Sequence, residues 1–95
     1  MTIDQVSGFG RDLLRAVRHL GPTCGQRIAD ELESVYGKPV PPGRLYPGLD
    51  RLEELGLIEI DRSGSNRVGN EYRIADRGER VLEEIASLDE RRLAA

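Results

Sequence analysis

Residues 43–58, GRLYPGLDRLEELGLI, leave a chain few ways to fold. Leu45, Leu49 and Leu52 recur at i, i+4 and i+7, the spacing that lays apolar side chains in one stripe along a helix. At about 100° per residue, Pro47, Arg51 and Glu54 fall opposite that stripe, Arg44 and Asp50 flank them, and Tyr46 stands on the border. Gly56 then stops the helix. Leu57 to Asp61 follows as a strand, with Ile58 and Ile60 to one side and Glu59 and Asp61 to the other. The leucines are committed to a core, so any contact with another molecule must come from the side that carries the arginines.

The flanking segments supply partners for that helix. A first helix is expected from about Ser7 to Leu20, with Phe9, Leu13, Val17 and Leu20 on its buried face, and Gly21-Pro22 ends it. Thr23 and Gln26 stand at capping-box spacing before a second helix, whose inner face reads as Ile28, Leu32 and Val35 and whose stop is Gly37. Lys38-Pro39-Val40-Pro41-Pro42-Gly43 is a stiff connector, because each proline fixes its own φ and pushes the preceding residue out of helical space. Pro42 suits the first turn of the third helix, where a missing N–H costs nothing. Pro47, within about the first two turns, predicts a local distortion. Ser63 to Gly69 is turn-rich, and Glu71-Tyr72-Arg73-Ile74 returns as a second strand with Tyr72 and Ile74 inward. Asp76 and Glu79 repeat the capping spacing with an acidic cap and open a last helix to about Leu93. Its stripe is Val81, Ile85 and Leu88, with Leu82 beside it.

That order predicts a mainly α fold with a small β-hairpin wing (α+β): a winged helix-turn-helix. Residues 1–75 would hold the three-helix core and the wing, and residues 76–95 a C-terminal dimerisation helix. A chain of 95 residues makes one domain. By size scaling it buries roughly 60–65% of its unfolded surface, so a second copy is expected to help.

Charge argues at first against nucleic acid, since the net value is −3 and affinity for DNA rests on neutralising phosphates. The distribution matters more: residues 1–37 sum to −1, 38–73 to 0 and 74–95 to −2. Thirteen of the fourteen basic residues are arginine and only Lys38 is lysine, which suits bidentate contacts and equally a GC-rich or halophilic host. No apolar run is long enough to cross a membrane. Met1 to Gly10 has neither the basic start nor the apolar stretch of a secretory signal. One cysteine allows no internal disulfide and fits a reducing compartment, so a cytoplasmic protein is expected.

Catalysis has no visible basis. The one histidine, His19, has no histidine, cysteine or carboxylate at metal-ligand spacing, and no nucleophile stands beside an oriented base. Cys24 reads as a small packing residue, with a redox switch as the weaker alternative. No enzyme, cofactor or metal is expected. The residues expected to meet double-stranded DNA are Arg44 and Tyr46 first, then Arg51, with Lys38 touching the backbone and Arg62, Asn66 and Arg67 serving the wing. Two plainer readings stand beside this one. Arg44 and Arg51 could be solvated residues paired with Asp50 or Glu54, and the wing could be an ordinary hairpin. The competing function is a winged-helix module that docks on transcription machinery or another regulator through its acidic last helix and a neutral third-helix face.

Gly21-Pro22-Thr23-Cys24-Gly25 followed by Ile28, then Pro42-Gly43-Arg44-Leu45-Tyr46-Pro47, Leu49, Leu52-Glu53, Gly56-Leu57-Ile58, Tyr72 and Gly78 together resemble the PadR-like family of transcriptional regulators. The similarity runs over about residues 9–88. The chain departs from the family's pattern at Gln26, Pro41 and Ala75, and it is similar to the short members that end in a single helix. Some short members hold flat drugs between tryptophans, and this chain has no tryptophan, so that ligand class is not expected and no effector is named. A homodimer is expected, joined through the final helix at Val81, Leu82, Ile85 and Leu88 with help from the first helix, and a two-fold dimer would set two copies of the third helix in successive major grooves of a palindromic promoter site. The resemblance implies repression by occupancy.

Overall fold

Ser7 decides where the first long helix begins: it sits in extended backbone and its Oγ accepts the Gly10 amide at 2.9 Å. This satisfies one of the donors a helix start leaves open. The computed structural model describes residues 2–64 and 69–94, and of Thr2 and residues 92–94 the backbone only. A short 3-10 helix, Thr2–Gln5, precedes α1 (Gly8–Leu20), α2 (Gly25–Tyr36), α3 (Pro42–Glu54), the strands β1 (Ile58–Asp61) and β2 (Glu71–Ile74), and α4 (Asp76–Ala94). Gly21 and Gly37 close α1 and α2 at φ of 72° and 73°, a region in which glycine carries no Cβ penalty.

The core is one cluster fed by every element. Leu13, Leu14 and Val17 of α1, Ile28 and Leu32 of α2, Leu45, Leu49 and Leu52 of α3, Leu57 and Ile58, Tyr72 of β2, and Val81, Leu82 and Ile85 of α4 are all buried. Ile3 and Val6 join from the N-terminal turn, and Val40 pins the proline connector to the same cluster. The strands pair antiparallel with Ile58 opposite Ile74 and Ile60 opposite Tyr72, which puts the apolar partners on one face. On the solvent face the exposed pair Glu59 and Arg73 stands in register, 3.6 Å apart.

Several local expectations change once the packing is visible. Thr23 does not cap α2. Its amide donates to the Tyr72 carbonyl at 3.0 Å and its carbonyl accepts the Tyr72 amide at 2.8 Å, so it forms a one-residue third strand beside β2. The cap position passes to Cys24, whose side chain makes no capping bond. Val35 lies outside the core at 65% exposure, on the rim of a groove between α1 and α2, while the next residue, Tyr36, packs against α1. Pro47 does not break α3, which runs unbroken from Pro42 to Glu54. The amide it lacks would have bonded the carbonyl of Gly43, and both residues lie on the exposed side. Asp76 is the first helical residue of α4, one place inside the cap position, where its charge still favours the positive end of the helix dipole.

Gly78 explains how α4 leaves the sheet. A Cβ there would collide with the Leu57 carbonyl and stand 2.8 Å from Ile74 Cγ1. The Ala75 amide donates to that same Leu57 carbonyl at 3.0 Å. The start of α4 and the residue before β1 therefore meet backbone to backbone.

Candidate nucleic-acid interface

The leucines of α3 turn fully inward, with Leu45 at 3%, Leu49 at 0% and Leu52 at 2% exposure. Gly43, Arg44, Pro47, Arg51 and Glu54 are left on the exposed strip. The strip has two flanks, and the structure treats them differently.

On the flank toward α1, the Arg44 guanidinium carbon lies 4.1 Å above the centroid of the Phe9 ring. A cation over a ring face is held by the ring quadrupole without losing its charge. Phe9 can sit there because position 48 is glycine: a Cβ at Gly48 would stand 3.1 Å from Phe9 Cε2 and 2.9 Å from Leu13 Cδ2. Phe9 leans in turn on Tyr36, with ring centroids 6.5 Å apart. The Tyr36 hydroxyl donates to Asp12 Oδ2 at 2.6 Å. Burial, together with that acceptor and its charge, pushes the Tyr36 hydroxyl up to about 12, although nearby Arg44 pulls the other way. Among the described residues no carboxylate pairs with Arg44.

On the flank toward the wing, charge is cancelled. Arg62, the residue after β1, donates to Glu53 of α3 through both terminal nitrogens, at 2.6 and 2.8 Å, and lies 3.8 Å from Asp50. The two hydrogen bonds from Arg62 hold the Glu53 carboxyl below its usual range, and Glu53 raises the guanidinium in return. Asp61 accepts the Ser63 amide at 2.9 Å, which opens the turn out of β1 and holds the Asp61 carboxyl below its ordinary value.

The remaining candidates are spread around this strip. Arg51 is exposed and pairs with Glu54 at 3.2 Å. Lys38 is exposed on the connector, with no ion pair among the described residues. Tyr46 is half-buried, its ring set against the start of α2, where a Cβ at Gly25 would stand 2.9 Å from Tyr46 Oη. That contact ties the two sequence motifs, around Gly25 and around Tyr46, to each other. Asn66 and Arg67 lie outside the described residues.

The four side chains expected at a dimer interface divide. Val81, Leu82 and Ile85 face the chain's own core at 5%, 3% and 2% exposure, where α4 packs on α1 and the N-terminal turn. Leu88 alone is exposed, at 39%, beside a shallow groove formed with Ile3, Glu84, Ser87 and Arg91. A helical stripe reads alike in sequence whether it is covered by its own chain or by another, and here a small core draws most of it in. Ile85 is therefore a core position, and Leu88 is the one of the four that a second copy could touch.

Cys24 is half-buried and free, His19 is exposed, and no group of metal-binding side chains occurs among the described residues. No described helix is long and apolar enough to cross a membrane. Two residues of the site escaped the sequence reading: Phe9, taken as core, and Glu53, noted only within the Leu52-Glu53 motif. The glycine at 48 was the available signal for Phe9, since it marks a close approach to α3.

The description "Transcriptional regulator PadR-like family" matches residues 13–84. The transcriptional activator GvpE2 of Halobacterium salinarum is 30% identical over 93 residues, which cover 88% of this chain and 46% of that protein. The chain thus spans about half the length of this curated relative. The solved complex structure of hsRosR-S1 superposes with a TM-score of 0.87 at 27% identity, covering 100% of this chain and 82% of the other. A PadR family transcriptional regulator from Eggerthella lenta superposes with a TM-score of 0.64 at 33% identity, covering 84% and 70%.

Proposed function

The chain belongs to the PadR-like family of transcriptional regulators, and from that premise we propose that it binds a palindromic promoter site as a homodimer and represses by occupying it. The observation that carries the reading is the exposed strip of α3, where Arg44 keeps an uncancelled charge on a seat of aromatic rings. Arg44, Arg51 and Lys38 are the proposed phosphate or base contacts. Tyr46, half-buried beside Gly25 of α2, contributes from the border of the strip, and Asn66 and Arg67 act from the wing. In a two-fold dimer the two strips would meet half-sites about one turn, roughly 34 Å, apart. The second copy would join at α4 around Leu88 and its groove, so residues 1–75 would serve DNA and 76–95 assembly.

Footprinting across the genome, followed by gel shifts on the recovered sites, tests the reading. Protection of paired inverted half-sites supports it, and a protein that protects no duplex sinks it. Deleting the gene should raise transcription from the bound promoters. A fall would make it an activator, the sign carried by the name of GvpE2. Leu88→Glu should halve the sedimentation mass without unfolding the chain, and an unchanged mass would remove α4 as the interface.

The competing reading is a module that docks on transcription machinery. Its support is the self-paired carboxylates Glu53 and Glu54 on α3 and the acidic α4. The same gel shifts decide between the two.

A further inference from the structure

We propose that Glu53 is a positioning residue that sets the wing against α3 through Arg62, and that Arg62 acts through this bridge and not by touching phosphate. The inference rests on the DNA-binding reading above but is built on different atoms. Arg62 offers Glu53 a two-point fork, 2.6 and 2.8 Å long, and reaches Asp50 at 3.8 Å. A two-point arginine–carboxylate pair fixes orientation as well as distance, which a single-point pair cannot do. Its ends belong to different elements: Glu53 sits in the last turn of α3, and Arg62 follows β1 where the wing departs. The Asp61 side chain, bonded to the Ser63 amide, holds the backbone on the other side of Arg62. The guanidinium is thus bonded to the helix while the backbone that carries it is held by the turn.

Charge points the same way. Arg62 and Glu53 alone sum to zero, so the pair gives a phosphate no net attraction. Were Arg62 to swing to DNA, the Glu53 carboxylate would lose its partner beside the duplex, and like-charge contact of that kind opposes binding. Arg44, on the opposite flank, has no such carboxylate among the described residues. One arginine is built as a strut and the other as a contact.

The test uses the full chain and three variants: Glu53→Gln, Arg62→Gln, and the exchange E53R/R62E. The first readout needs no DNA: amide 15N relaxation of Ser63, Gly64, Gly69 and Asn70, referenced to β1. Glu53→Gln and Arg62→Gln should both loosen these amides, and the exchange should tighten them again. The second readout is affinity for a mixed-sequence 30-base-pair duplex across a salt series, the length chosen to exceed roughly two half-sites. Glu53→Gln should bind about two- to five-fold more weakly with an unchanged salt slope, as expected from an exposed pair, and the exchange should recover most of the loss. If Glu53→Gln binds more tightly with a slope steeper by about one, Arg62 is a phosphate contact that Glu53 restrains, and the proposal is overturned. Unchanged relaxation in both single variants overturns it too. If the wild type binds no duplex, the relaxation arm still decides the bridge while the DNA reading fails separately.

Discussion

The two flanks of α3 hold an arginine each, and they hold it by opposite means. Arg44 rests on the face of Phe9, a partner that orients a cation and leaves its charge available. Arg62 is gripped by Glu53 with Asp50 nearby, partners that orient it and cancel it. A chain with a net charge of −3 can thus still present an uncancelled cation on an exposed face. Overall charge is no guide when individual cations differ this much in what surrounds them. Charge is kept on the α1 flank and the start of α3, and it is neutralised where the helix runs toward the wing.

The contrast can be broken first at Gly48. Gly48→Val would drive side-chain atoms into Leu13 and Phe9, and the expected loss is about 1–3 kcal/mol, typical of overpacking, read as a lower midpoint in urea. An unchanged midpoint would mean that the seat beneath Arg44 is soft. Arg44→Ala should come next: duplex affinity falls and the salt slope loses about one, with folding intact. If affinity is instead indifferent to this change, the charge kept on the α1 flank has no role in binding.

Proton titration separates the flanks without mutation. Glu53 is held below its usual range by Arg62, so the stability it adds is present above the ordinary glutamate value and is lost as the pH falls through the lowered one. Tyr36 is raised from 10.0 to about 12, so its contribution is complete below about pH 10 and is lost as the pH rises toward 12. Acid should therefore loosen the wing flank and alkali the α1 flank. Comparison with Tyr36→Phe by denaturant melts at high pH checks the second half: the wild type's advantage should shrink between those limits, and a constant difference would refute it. The smallest effect is expected from Arg51→Ala, below about two-fold in affinity, because an exposed pair with Glu54 already occupies that side chain. A loss as large as that of Arg44→Ala would erase the distinction between cancelled and uncancelled arginines.

Much of the fold was legible because it is written in local periodicity. Leu45, Leu49 and Leu52 could face only one way on a helix, Tyr72 and Ile74 only one way on a strand, and Gly37 had to stop what preceded it. Misreadings arose where the deciding neighbour is distant in sequence. Thr23 has the spacing of a cap, yet the backbone of Tyr72 takes its amide and carbonyl. Val35 continues the stripe of α2 by spacing, yet it is Tyr36 beside it that packs on α1. Val81, Leu82 and Ile85 form a stripe whose cover, own chain or second chain, no spacing reveals. The site was less legible than the fold. Arg44 and Arg51 could be placed on a face, but a ring under one and a carboxylate beside the other depend on tertiary approach. Glu53 and Arg62 are nine residues apart, in different elements, and no helical or strand period links them.

At Gly78 the missing side chain brings the terminal helix into direct register with the Leu57 carbonyl, leaving no methyl-sized cushion that could deform. A seam of that kind behaves as a weld. In any assembly joined along the terminal helix, the span between two reading surfaces would be inherited from this weld as a fixed gauge. Altering the preferred gap between half-sites would then mean recutting the joint, however freely the residues that touch bases were exchanged.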